Sequence, residues 1–142
     1  MTPYFNVYKR FLRKITDYGL AELSNENMED IMNGYLDSAI SLFVKCKKDL
    51  SNRDDEKQTF NEDLTDAEQE IIAKLLVVEW IEPQINSIMN LQPILNDHDF
   101  ETYSQANFLK VKLELKTDLK SELDNLIVNY TYDNGDIENS LG

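Results

Sequence analysis

The chain is poor in the residues that make turns, crosslinks and thiolate sites. Its 142 residues include four Gly, three Pro and one Cys. So few breakers argue against an all-β or loop-rich protein. A single cysteine, Cys46, excludes a disulfide framework within the chain and a cysteine-based zinc site. One histidine, His98, lies in a polar stretch, so Cys46 has no evident catalytic partner. Its place on an apolar stripe makes it a structural thiol. No glycine-rich phosphate loop and no clustered acid–base groups are visible. The expectation is a non-enzyme that needs no cofactor and no metal. No apolar run approaches the roughly 20 residues of a membrane span. Lys9, Arg10, Arg13 and Lys14 interrupt the N-terminal candidate for a signal-peptide core. The expected product is soluble, is made in the cytoplasm and has no membrane partner.

Positive charge is scarce as well. Fourteen Lys and Arg face 27 Asp and Glu, for a net charge of −13. Such a chain does not wrap nucleic acid by general electrostatics, because phosphate contacts need Lys and Arg. The imbalance is uneven. Residues 1–14 carry four basic groups and no acid, which leaves −17 on the remainder. Lys9, Arg10, Arg13 and Lys14 are therefore candidate partner-binding residues, for an acidic face on another copy or another protein. The plainer alternative is a solvated helix face.

The strongest pattern present is Thr65 to Pro83, TDAEQEIIAKLLVVEWIEP. Thr65 with Glu68 three residues on is a capping box, in which two side chains satisfy free N–H groups at a helix start. Asp66, Glu68 and Glu70 add negative charge where the helix dipole favours it. Apolar residues from Ile71 to Ile81 then point to nearly every side, the mark of a buried helix. Pro83 is expected to end or kink it, with a partly buried connection following.

Other segments are arranged around this one. Thr2-Pro3 reads as a helix start, and Tyr4, Tyr8, Phe11, Leu12 and Ile15 continue at helical spacing to about Gly19. Asn25 to Lys48 forms a second pattern, with its stripe on Met28, Ile31, Met32, Tyr35, Ala39, Leu42, Phe43 and Cys46. Gly34 weakens that helix by about 1 kcal/mol relative to Ala. Asp49 to Leu64 reads as an irregular connection anchored by Phe60. Its acids lack the ligand spacing and central Gly of a calcium loop. Asp97-His98-Asp99 reads as a turn at a helix start. From about Phe100 or Ser104 to Tyr130 runs the longest pattern, with Phe108, Val111, Leu115, Leu119, Leu123, Leu126 and Tyr130 as its stripe. The fold class is all-α: a small helical bundle, residues 1–128, around a central buried helix at about 65–83. At Val128 the period changes to alternation, and Asn134-Gly135 signals a turn. Residues 129–142 are therefore expected to be an extended arm.

Two blocks and this tail, LTDAEQEIIAKLLVVEWIEPQINS, FETYSQANFLKVKLELKTDLKSELDNL and NYTYDNGD, resemble small virion proteins of tailed bacteriophages. The nearest group is the head–tail connector, or adaptor, proteins of the neck in phages infecting Gram-positive bacteria. The resemblance covers roughly residues 60–135. It implies a structural protein of the virion, a homo-oligomeric ring below the portal through which DNA can pass, and contact with the portal and other neck or tail proteins. It also implies a C-terminal arm docked on the portal by Tyr130, Tyr132, Ile137 and Leu141. The competing expectation is a small acidic inhibitor or other binding module that imitates DNA.

Overall fold

The computed structural model describes the backbone of residues 1–17, 28–91 and 99–133, and the side chains of 1–16, 30–87 and 106–133. Among these, the helices are α1 (Tyr4–Asp17), α2 (Met28–Leu42), α3 (Asp66–Leu91) and α4 (Asp99–Asp133). The strands are β1 (Thr2–Pro3), β2 (Arg53–Asp54) and β3 (Thr59–Phe60).

Helix α3 is the centre, and α1, α2 and α4 each pack on it. Its capping box forms as the sequence predicts. The Thr65 N–H donates to Glu68 Oε1 at 2.8 Å, and the Glu68 N–H donates to Thr65 Oγ1 at 3.2 Å. Ile71, Ile72, Ala73, Leu75, Leu76, Val77, Val78, Trp80 and Ile81 are all buried. Pro83 does not end the helix, which continues to Leu91. Proline removes one N–H donor there, and the Gln84 side-chain amide donates to the nearby Trp80 carbonyl at 3.3 Å.

Helix α4 runs antiparallel to α3. Their contacts step in opposite directions, from Tyr130 on Glu68, through Glu122 on Lys74 and Lys116 on Glu82, to Lys112 on Gln84. At 1.5 Å per residue its 35 residues span roughly 52 Å. Its buried stripe is Lys112, Leu119, Leu123 and Tyr130. The expected Phe108 and Val111 are exposed. Lys112 lies inward instead because its ammonium bonds Gln84 Oε1 and sits 4.2 Å over the Phe108 ring.

Helix α2 stops at Leu42, short of the expected Lys48. Met32, Leu36, Ala39 and Phe43 face inward, whereas Ile31 and Leu42 are exposed. The expected end of the first helix at Gly19 and the Asp97-His98 turn lie outside the described residues.

The segment Asp49 to Leu64 is more regular than predicted. Strand β3 pairs antiparallel with both β1 and β2, placing Phe60 opposite Thr2 and Arg53. Thr2 is therefore not a helix cap. Its hydroxyl donates to the Glu62 carbonyl at 3.0 Å and accepts the Leu64 N–H at 2.9 Å. The acids of the loop shape turns: Asp54 Oδ1 accepts the N–H groups of Glu56 and Lys57. Gln58 takes a left-handed φ of 53°, and its carbonyl accepts the Tyr4 N–H at 2.8 Å. Phe60 is fully buried with its ring centroid 4.9 Å from that of Tyr4, so the sheet seals one end of the bundle.

Trp80 is 8% exposed and meets Phe11 edge-on at 6.2 Å. Trp80→Ala is expected to cost about 3–5 kcal/mol, as for other truncated core aromatics. Denaturant unfolding checks this, and an unchanged midpoint would remove Trp80 from the core.

Candidate interaction surfaces

Helix α1 turns Tyr4, Val7, Phe11 and Ile15 into the core. The four basic residues chosen from the sequence then divide into two pairs. Arg10 bonds Asp66 and Glu70 of α3, both at 3.0 Å, and Lys14 bonds the second oxygen of Glu70. These two cations fasten α1 to the start of α3. Burial pushes the Glu70 carboxyl upward, but Lys14 and Arg10 outweigh it and hold it below the usual range. Lys9 and Arg13 have no ion pair among the described residues. They flank a shallow depression with Asn6 and Gln69. With Phe5, 64% exposed, they form a stripe at i, i+4 and i+8 on the outward side of α1.

The C-terminal residues divide as well. Residues 129–133 continue α4 and do not begin an extended arm. Tyr130 is 3% exposed, packed edge-on against Phe43 at 5.4 Å. Its hydroxyl donates to Glu68 Oε2 at 2.7 Å and accepts the Lys47 N–H at 2.7 Å. Tyr130 is thus a core residue, withdrawn from the docking set. The alternation from Val128 to Tyr132 misled because a helix also places residues 126 and 130 on one side. Tyr132 is 58% exposed on the last turn. Ile137 and Leu141 lie outside the described residues.

The partner of Tyr130 is the least expected feature of the molecule. Glu68 is 1% exposed, yet it carries a carboxylate. Besides its cap bonds it accepts Lys48 Nζ at 3.1 Å, and Cys46 Sγ lies 3.7 Å from Oε2. A buried charge is tolerable only when paired and hydrogen-bonded. Here burial pushes the pKa up, but the Thr65 N–H, the Tyr130 hydroxyl and Lys48 outweigh it and hold it low. Burial raises Cys46, which favours the inert thiol. Burial, opposed by the Lys47 N–H and reinforced by Glu68, raises Tyr130. The cluster is a clasp between the start of α3, the segment after α2 and the end of α4. Sequence reasoning found only its cap, since Lys48 and Tyr130 are 20 and 62 residues from Glu68.

A groove of about 530 Å³ runs between α2 and α3, lined by Asp30, Ile31, Gly34 and Tyr35 on one wall and Glu79 and Pro83 on the other. Burial, then the neighbouring Glu82, raises the Glu79 carboxyl. Among the described residues no group of three or more His, Cys, Asp or Glu could hold a metal ion, and no helix is long and apolar enough to cross a membrane. No protein-family model matches the chain, and no curated protein or solved structure matches it either.

Two predictions test the clasp. Tyr130→Phe strands the Glu68 oxygen and the Lys47 N–H, and is expected to cost about 1–3 kcal/mol in urea unfolding. Glu68 has a depressed folded pKa. Its contribution is therefore complete above the unfolded value and is lost as pH falls through the folded one. Glu68→Gln keeps a capping side chain but loses the charge, so it should destabilise at neutral pH and converge on wild type as pH falls below the usual carboxylate range. A stability difference that does not change with pH would show that the carboxylate charge has no part in the clasp.

Proposed function

We propose that the protein is a virion structural protein of a tailed bacteriophage infecting Gram-positive bacteria. It acts as a head–tail connector of the adaptor type, forming a ring below the portal. Its bundle is the ring-forming body, and Tyr132, Ile137 and Leu141 contact the portal. Tyr130 holds the base of that segment to the bundle. The observation that carries this reading is the outward Phe5, Lys9 and Arg13 stripe on a chain of net charge −13. An aromatic and two cations with no ion pair among the described residues suit an acidic protein surface, because complementary charge orients and accelerates association. The two sequence blocks that resemble connector proteins agree with it.

The reading of the chain as an acidic inhibitor imitating DNA is disfavoured by a different surface. Lys74 pairs with Glu122 and Lys116 with Glu82, so the α3–α4 side mixes both signs instead of presenting a row of carboxylates.

Purified particles of the phage that encodes the chain provide the test. The protein should be found in them by mass spectrometry, in multiple copies. A chain ended after Asp133 keeps every described contact. It is expected to melt within about 2 °C of wild type, inside the spread of a surface change, and to stay out of particles. Ending it after Val128 removes Tyr130 and should destabilise the bundle itself. Absence of the full-length protein from virions would overturn the connector reading. Normal infectious particles made with the chain ended at Asp133 would overturn the docking role of the tail.

A further inference from the structure

Gly34 lies inside α2, where glycine costs helix stability relative to alanine. Among the described residues nothing requires it. A Cβ built there meets no atom within 4 Å, so neither close packing nor a neighbouring helix explains the missing side chain. The open space belongs to the groove between α2 and α3, on the α2 wall. Glycine at such a point lets another backbone come close.

The walls of that groove state what would suit it. Ile31, Tyr35 and Pro83 offer apolar surface, and Asp30, Glu79 and Glu82 offer carboxylates. Glu82 is already paired with Lys116, while Asp30 and Glu79 have no ion pair among the described residues. The outward stripe of α1 has the complementary chemistry, with an exposed Phe5 followed by Lys9 and Arg13. The lengths agree as well. Phe5 to Arg13 and Asp30 to Ser38 each cover eight helical steps, roughly 12 Å. The two surfaces lie on different sides of α3. Helix α1 meets Glu70 and Trp80, whereas the groove uses Glu79, Glu82, Pro83 and Asn86. One copy therefore cannot fill its own groove.

We propose that the α2–α3 groove receives the Phe5, Lys9 and Arg13 face of α1 from a second copy of this chain. Copies then join head to tail, with Gly34 under the incoming helix. Such a contact is heterologous, and it closes into a ring when the rotation between copies permits. The inference rests on the ring-forming reading and names the surfaces that would make the ring.

Sedimentation of the full chain, alone and with charge variants, tests it. Wild type is expected to associate at low salt and to dissociate as salt screens the exposed charges. Lys9→Glu with Arg13→Glu on one chain, and Asp30→Lys with Glu79→Lys on another, should each weaken association by about tenfold or more, the scale of a charge pair turned repulsive. Mixing the two variants should restore it, since each reversed surface then meets its opposite. Gly34→Gln guards against misfolding as the cause: it should keep or raise the melting temperature and still fail to associate. Wild type that associates, with Gly34→Gln and both charge variants behaving like it, would overturn this interface and leave the ring intact. An interface lost in the single variants but not rescued by mixing would overturn the pairing of these two surfaces. Wild type that stays monomeric up to about 1 mM, the weak end of specific association, would overturn the ring itself along with the interface.

Discussion

A helix with apolar side chains on every side must be enclosed, and α3 imposes that requirement on the whole chain. One neighbour could cover only a third of it. Three helices are packed against it, and the small sheet with Phe60 closes an end. The usual two-sided economy of an amphipathic helix is transferred to the coverings: α1 and α2 each give one side to α3 and leave the other to solvent. The stripe that α1 leaves outward, and the groove beside α2, are consequences of this division of labour.

Enclosing α3 also buries Glu68 in its first turn, beside free N–H groups that need partners. Glu68 meets that need through the capping box and then has a second oxygen to satisfy. Tyr130 and Cys46 meet that second oxygen, and Lys48 joins the Thr65 N–H on the first. A local device for starting one helix has become the point where three distant segments are tied. This is why the tail cannot begin at residue 129. The hydroxyl of Tyr130 is needed at Glu68, 62 residues away along the chain, and it is delivered by extending α4 to Asp133.

Charge is distributed by the same logic. Arg10 and Lys14 lie on the flank of α1 that borders α3, so they find Asp66 and Glu70. Lys9 and Arg13 lie one step round the helix and face outward. The Arg10 and Lys14 pairs with Glu70 are partly buried, and they align α1 against the start of α3. The outward pair gives an acidic molecule its one markedly different face on the described α1 surface. The proposed connector role and the proposed head-to-tail contact both draw on that face.

Much of this was open to reading from residue order. The capping box, the all-round burial of Ile71 to Ile81, the inward Trp80 and Phe60, and the helical bundle follow from local spacing and hydrophobicity. Those signals act over one to four residues, so the sequence displays them directly. Other features depended on where distant segments met. Two-residue strands are too short to show alternation, and they exist because Phe60 finds Thr2 and Arg53 across the chain. Pro83 reads as a stop or a kink, yet α3 continues through it to Leu91, with Ile81 and Ile85 buried before and after it. Lys112 is no part of the apolar stripe read along the last helix, yet Gln84 and Phe108 give its ammonium a place inside. The division of four similar basic residues into two that fasten and two that remain outward is equally invisible along the chain. By itself the sequence determined which segments are helical and which helix is central. The tertiary structure alone decided the partners of each polar group, because a charge is satisfied by whatever comes within a few ångströms of it in space, whatever its distance along the chain.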